Sequence, residues 1–445
     1  MRESRSGTGL FRGRKFTGHG RRQCAGRHAA DGGRERCERM RAAGVIAEFN
    51  PFHKGHAYLL EQARRTGADA VAVVMSGCFT QRGEPACMPP APRCAAALQA
   101  GADLVIELPL PWAMAAADTF AAGAVSLLGA LGCVDRLVFG SETGDVEKLS
   151  DCVRMLGEAD GSGAFADALA AGCSFPRARQ HAVHTLFPQA DTTPLSRPND
   201  TLALAYLQAC ARQEAPFAPV AVRRLFAGHD MEGEQEGFAS AARVRALLAA
   251  GREEKALGCV PEAAATLYRR VLADGAAPYR AIYAERAVLA RLRCLDAAAI
   301  ARVPDVSEGL ENRLLAAVRH AGGLEQLYAA AKSKRYTLAR IRRAVWGAFL
   351  GLSRSHTAAM PPYLRVVGLG PRGREILRCA GHAARLPIVT RHADVMGLGT
   401  FARHIYALEC RATDLYGLFL PRVQPSGMLQ RTELIRSQTL QSRPE

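Results

Sequence analysis

Residues 44–56 read Gly44-Val45-Ile46-Ala47-Glu48-Phe49-Asn50-Pro51-Phe52-His53-Lys54-Gly55-His56. The apolar start is of strand type, and the Asn-Pro pair and glycine that follow are turn residues. Leu59, Leu60 and Ala63 then recur at helical spacing. The segment therefore predicts a strand that empties through a tight turn into a helix N-terminus, with His53 and His56 three positions apart around Gly55. The amides at such a helix start favour an anion, phosphate above all. Two imidazoles beside it can donate to phosphate oxygens as negative charge builds on them. Gly55 leaves room for a close backbone approach. The pattern fits a nucleoside triphosphate and adenylyl-transfer chemistry; the bland alternatives are a surface accident or half a metal site.

Outward from this turn the pattern repeats. Ala57 to Thr66 reads as a helix closed by Gly67, and Ala70 to Met75 as a buried strand ending in Ser76-Gly77. A second helix, Arg93 to Ala100, leads to the strand Asp103 to Leu108, which Pro109 stops. A third helix, Thr119 to Leu131, leads to the strand Asp135 to Phe139 and the turn Gly140-Ser141-Glu142. Continuous apolar strands alternating with helices predict an α/β fold, a doubly wound parallel sheet covered on both faces. Ligands bind such sheets at the strands' carboxyl ends, where His53, His56, Ser76, Gly77, Gly140 and Ser141 fall. This nucleotide-binding domain spans about 43–250, with a further strand near Val220 to Arg224. Residues 251–445 form a mainly helical region, broken at Pro361-Pro362, with a short strand at Tyr363 to Val367 and a polar tail from about Gln424.

Composition narrows the function classes. A hydrophobic share of 49% is that of a chain with a real core. No run approaches the roughly 20 apolar residues of a membrane span. The thirteen cysteines include no Cys-x-x-Cys pair, which argues against a structural zinc site and for a reducing, cytoplasmic setting. The net charge of +16 suits a polyanionic partner, nucleic acid first. Residues 1–42 hold twelve Lys or Arg against four Asp or Glu and show no apolar period, so they read as a disordered basic extension. The reading favoured is that Met40 is the true start; a basic nucleic-acid-binding arm is the alternative.

Other motifs admit two readings each. Phe79 to Pro85 follows a strand and either faces the ligand or is a loop in which Arg82 and Glu84 pair. Asn199 either caps its helix or reaches the nucleotide. Arg223 and Arg224, near Gly228-His229-Asp230, either neutralise phosphate or are solvated. Gly368-Leu369-Gly370-Pro371-Arg372-Gly373 fits a dinucleotide fingerprint but lacks a complete βαβ unit, and reads as a decoy. Lys332, Lys334, Arg335, Arg340, Arg342 and Arg343, with Tyr336 and Trp346, suit either RNA binding or a solvated helix face.

Taken together, these segments resemble a known family. His53-Lys54-Gly55-His56 resembles the signature of the nucleotidyltransferase superfamily that includes class I tRNA synthetases. The Glu48 to His53 entry, the Met75-Ser76-Gly77 turn, the Gln81 to Pro85 loop, Asp103 to Pro109, Phe139 to Glu142, Pro198-Asn199 and Ala239-Ser240-Ala241 look like the bacterial tRNA(Met) cytidine acetate ligases. The similarity runs from about residue 43 to at least 420.

The resemblance implies a two-step reaction. Acetate attacks the α-phosphate of ATP to give acetyl-adenylate, and the acetyl group passes to the wobble cytidine of elongator tRNA(Met) as N4-acetylcytidine. It implies that Val45, Ile46, Ala47, Glu48, Phe49, Asn50, Pro51, Phe52, His53, Lys54, Gly55, His56, Ala57 and Tyr58 bind ATP. His53 and His56 would steady the phosphates, and Gly140, Asn199, Arg223 and Arg224 would complete the site. Ala239 to Arg245 stands where relatives carry a second phosphate-side loop. Mg²⁺ is expected for ATP chemistry, with no ligand to name. The chain departs from the pattern at Lys54 and Cys78, each in place of Asn, at Pro90 and Ala91 in place of Lys-Trp, and at Ala242 in place of Thr. The alternatives are a small-molecule adenylyl- or cytidylyltransferase and a non-catalytic RNA-binding relative.

Overall fold

In a computed structural model of the chain, residues 40–224, 239–383 and 385–437 are described. Residues 1–39 of the basic extension and the Gly228-His229-Asp230 motif lie outside them, and Ala42, the last residue of that extension, instead opens the first strand. The strands are β1 (Ala42–Ala47), β2 (Ala70–Ser76), β3 (Phe79–Thr80), β4 (Glu84–Pro85), β5 (Leu104–Leu108), β6 (Val134–Ser141), β7 (Ala218–Arg223), β8 (Leu364–Leu369), β9 (Ile388–Val389) and β10 (Ile435–Arg436). Eight of them form one sheet in the order β10-β8-β5-β2-β1-β6-β7, with β9 also beside β8; β3 and β4 pair separately.

Strands β5, β2, β1, β6 and β7 run parallel, as the alternating strands and helices predict. Their residues serve two cores by turns. Ala42 and Ile46 of β1, with Ala70, Ala72 and Val74 of β2, face one apolar cluster; Ala43, Val45, Val71, Val73 and Met75 face the other. That alternation is the pleat of a sheet buried on both faces. The strand order reverses at β1, which has β2 on one side and β6 on the other. The crevice beyond the carboxyl ends of β1 and β6 is thus the switch point where such sheets bind ligands.

The region after residue 250 is mainly helical, but it also returns to the sheet. Strand β8 pairs antiparallel with β5, and β9 and β10 add to β8. Every residue of β8 is buried, so its Leu-Arg-Val-Val-Gly-Leu run finds cover at the sheet edge rather than within the helices. A third apolar cluster joins the helices between Ala284 and Leu352 to Phe79, Leu110 and the Thr400–Gly417 helix. The fingerprint-like glycines belong to this closure. A Cβ at Gly370 or Gly373 would lie 2.3 Å from the Ala102 carbonyl oxygen or 2.1 Å from that of Asp103. They are glycine because one backbone passes against another.

No helix among the described residues is long and apolar enough to cross a membrane.

Candidate active site

The Lys54–Arg65 helix starts three residues earlier than its apolar period predicts, because His53 is its N-cap. His53 Nδ1 accepts the Gly55 N–H at 3.1 Å, and His56 Nδ1 accepts the His53 N–H at 3.3 Å. This is the reciprocal geometry of a capping box, built from two imidazoles instead of a hydroxyl and a carboxylate. The rings stack with centroids 3.8 Å apart. With both Nδ1 atoms accepting, the ring proton of each neutral histidine sits on Nε2. Burial and the nearby Arg224 and Arg245 hold His53 down to about 4. Burial, His53 and Arg224 hold His56 well below the usual histidine range. At neutral pH the pair is therefore two neutral N–H donors.

Gly55 has a different reason from the one its sequence position suggests. A Cβ there would lie 2.9 Å from His53 Cε1, so the missing side chain makes room for the imidazole. Phe49, with φ +48°, turns the chain out of β1 in the left-handed region that non-glycine residues seldom occupy. Phe52 and His56 pack on its ring, with centroids 4.9 Å away in both cases.

A cleft of about 750 Å³ opens at this point. Of the residues expected at the nucleotide, Ile46, Ala47, Glu48, Phe49, Asn50, His53, Gly55, His56, Tyr58, Gly140, Asn199, Arg223 and Arg224 line it. Val45, Pro51, Phe52, Lys54 and Ala57 are not among its lining. Val45 and Phe52 belong to the core beneath it. The backbone N–H of Phe52 donates to the Tyr268 hydroxyl and that of Lys54 to the Cys259 carbonyl, which anchors the turn to the helical region.

The opposite wall comes from β6, β7 and the Pro198–Arg212 helix. Asn199 is not that helix's cap; Arg197 is. The Asn199 side chain donates to Glu142 Oε1 and accepts from Arg224 Nη1 at 3.0 Å, which holds the guanidinium at the cleft. At Gly140 an added Cβ would meet only Arg224 Cγ at 3.8 Å, so the glycine leaves open space at the cleft.

Arg245, the last residue of the Ala239 to Arg245 segment expected on the phosphate side, also lines the cleft, though it was not named as a site residue by itself. Ser240 caps the Ala241–Ala249 helix, whose first residues face the cleft, and Arg245 Nη1 donates to the Asn50 carbonyl at 2.8 Å. The usable signal was a Ser cap followed by Arg243 and Arg245 in a helix start. Arg342, Leu338 and Ala339 of the Leu338–Leu350 helix also reach the cleft, and no local pattern announces that. Glu84 pairs with Arg342 at 3.4 Å and Arg245 at 3.6 Å, not with Arg82, which lines the cleft itself.

The rest of the basic cluster divides. Arg343 binds Asp305 at 2.6 Å, and Arg340 reaches Glu308, Ser307 and the Asp305 carbonyl. Trp346 is buried and donates to the Tyr328 hydroxyl, so it is core, not a base-stacking platform. Lys332 and Lys334 remain exposed. Cys78 is buried 3.9 Å from the Thr413 hydroxyl, and burial pushes its thiol up to about 12. Pro90 and Ala91 form the first turn of the Pro90–Gln99 helix, and Ala242 lines the cleft. Among the described residues no three His, Cys, Asp or Glu side chains gather as a metal site.

Comparison with known proteins finds relatives over most of the chain. The family model of the HIGH nucleotidyl transferases matches residues 40–431. A tRNA(Met) cytidine acetate ligase of Syntrophomonas wolfei is 35% identical over 398 residues, covering 86% of this chain and 95% of that one. A protein of the same name from Acetivibrio thermocellus is 33% identical over 392 residues, covering 85% and 94%. Among solved structures, Thermotoga maritima TmcAL bound with alpha-thio ATP superimposes with a TM-score of 0.81 at 29% identity, covering 89% of this chain and all of that one. Its apo form gives a TM-score of 0.83 at 30% identity, covering 89% and 99%.

Proposed function

The chain belongs to the HIGH nucleotidyl transferases, among the tRNA(Met) cytidine acetate ligases, and on that premise we propose that it activates acetate with ATP and acetylates the wobble cytidine of elongator tRNA(Met). The observation that carries this reading is the stacked pair His53 and His56, two fixed Nε2–H donors at the switch point of the sheet. An acetate oxygen attacks the α-phosphate, the bond to the β-phosphate bridge breaks, and pyrophosphate leaves with the electron pair. The charge that builds on the phosphate oxygens meets the two imidazole donors. Arg224, held by Asn199, and Arg245, held by the Asn50 carbonyl, lie beside them. Such preorganised donors stabilise the transition state without reorganising.

The second step explains the first. The exocyclic amine of cytosine is conjugated into its ring and is a weak nucleophile. Acetate has no leaving group, whereas acetyl-adenylate has AMP. Because no described side chains gather as a metal site, Mg²⁺ would be held by phosphate oxygens and water, and would supply neutralisation of the triphosphate charge. The tRNA meets a basic chain, and the enzyme works in the cytoplasm.

The test is transfer of radiolabelled acetate into purified elongator tRNA(Met) with and without ATP. ATP-dependent label recovered as acetylcytidine supports the reading. Absence of label, with ATP still bound, favours a small-molecule adenylyl- or cytidylyltransferase.

A further inference from the structure

Among the described residues that line the cleft, Glu48 is the single carboxylate. Its neighbours there are cationic: Arg82, Arg223, Arg224, Arg245 and Arg342. Glu48 is also held rigidly. Its backbone carbonyl accepts Arg93 Nη1 at 2.6 Å, and its Oε1 accepts the Gln81 N–H at 2.6 Å. No hydrogen bond from a described residue occupies Oε2.

The acyl transfer needs a base, because the attacking nitrogen must lose a proton. The histidines do not serve. Each Nδ1 lone pair already accepts a backbone N–H, and each Nε2 carries the ring proton. The arginine guanidiniums are donors with no acceptor, and burial raises the Tyr206 phenol further from ionisation. Of the titratable side chains left in the lining, the Tyr58 phenol is an O–H donor and Glu48 is the carboxylate, an acceptor on both oxygens. Resting on the ligase reading above, we propose that the Glu48 carboxylate takes the proton from the cytidine N4 amine as that nitrogen attacks the acetyl carbonyl. The N–C bond forms, the C–O bond to the adenylate phosphate breaks, and AMP leaves with the electron pair. The proton passes from nitrogen to Glu48 and then to water.

Burial shifts Glu48 in the direction that suits a general base. Burial raises the proton affinity of Glu48; the Gln81 N–H lowers it, Arg82 lowers it, Glu84 raises it and Arg245 lowers it. Tyr206 faces it from the Pro198–Arg212 helix.

The experiment compares Glu48→Gln with the wild type in two half-reactions. One is acetate-dependent ATP–pyrophosphate exchange; the other is single-turnover transfer from preformed acetyl-adenylate to elongator tRNA(Met). Glutamine keeps an oxygen for the Gln81 N–H, so the loop is retained. Transfer should fall at least about a hundredfold, the scale of a lost general base, and exchange far less. The acid limb of the wild-type transfer profile should vanish in Glu48→Gln and return, displaced, in Glu48→Asp. Equal falls in both half-reactions would place Glu48 in nucleotide binding and overturn the assignment. Unchanged transfer would overturn it too. A wild type inactive in both half-reactions would instead sink the ligase reading, which keeps the two failures apart.

Discussion

His53 Nδ1 accepts the Gly55 N–H and His56 Nδ1 accepts the His53 N–H, and so both rings are fixed as Nε2–H donors before any ligand arrives. On the proposed reading, capping and catalysis fall to the same rings through different nitrogens, and they can be separated. His53→Asn keeps a side-chain acceptor for the Gly55 N–H, since Asn is a good N-cap. Its folding stability should stay within about 1 kcal/mol of wild type, while acetate-dependent ATP–pyrophosphate exchange falls at least about a hundredfold. His53→Ala and His56→Ala should lose as much activity and also weaken the helix start. Exchange assays beside urea denaturation check both halves.

The depressed His53 proton affinity also sets a pH dependence. Between about 4, its value in the fold, and the ordinary 6.5, the unfolded chain binds the proton and the folded chain does not. Stability of the apo protein should therefore rise with pH through that window, by on the order of 3 kcal/mol for His53, with His56 acting in the same direction. Denaturation midpoints from pH 4 to 7 test this; in His53→Asn the rise should be smaller. A bound triphosphate favours the charged ring, so ATP binding below about pH 6.5 should take up protons, measurable by calorimetry in buffers of different ionisation heat.

Arg93 is wholly buried and donates to five carbonyls, those of Glu48, Ser76, Gly77, Met88 and Pro89. It ties together the ends of β1 and β2 under the cleft. Arg93→Lys cannot reproduce a planar fork with several donors. It should cost at least about 2 kcal/mol by leaving carbonyls unpaired, and should lower activity through the displaced Glu48. Chemical denaturation reads the first effect and label transfer the second.

Gly83 has φ +73°, and a Cβ there would lie 2.4 Å from the Arg343 backbone nitrogen. Gly83→Ala is strained in φ and clashes with backbone that cannot swing aside. A loss of roughly 3 kcal/mol is expected, together with a raised KM for ATP as Arg342 shifts from the cleft. A variant of unchanged stability would show that this docking is looser than the structure has it.

Asn199→Ala releases Arg224 from Glu142 without touching the fold beneath. The KM for ATP should rise about tenfold, the scale of one charge-assisted contact, with thermal stability little altered. Steady-state kinetics with varied ATP decide it.

Much of this was legible in local pattern. The strand runs of β1, β2, β5 and β6, the turn at Asn50-Pro51 and the helix that follows each declare themselves within a dozen residues, because period and turn chemistry are local properties. The histidines and the strand-end Gly140 followed from the same logic. That the Asn199 side chain joins Arg224 to Glu142 was not legible, because those partners lie 25 and 57 residues away in the chain. Arg342 was hidden for the same reason, and Arg245 was foreshadowed only by the Ser-capped basic helix start it stands in.

By itself, the sequence determined that a parallel sheet would end its first strand in a turn and a helix start, since apolar runs and turn residues dictate backbone path over short range. Tertiary structure alone decided that β8 closes the sheet edge, that Gly55 makes room for an imidazole, that Arg245 and Arg342 complete the cleft, and that Glu48 is its single carboxylate among the described lining residues. Those outcomes depend on which distant side chains share one space, and only packing fixes that.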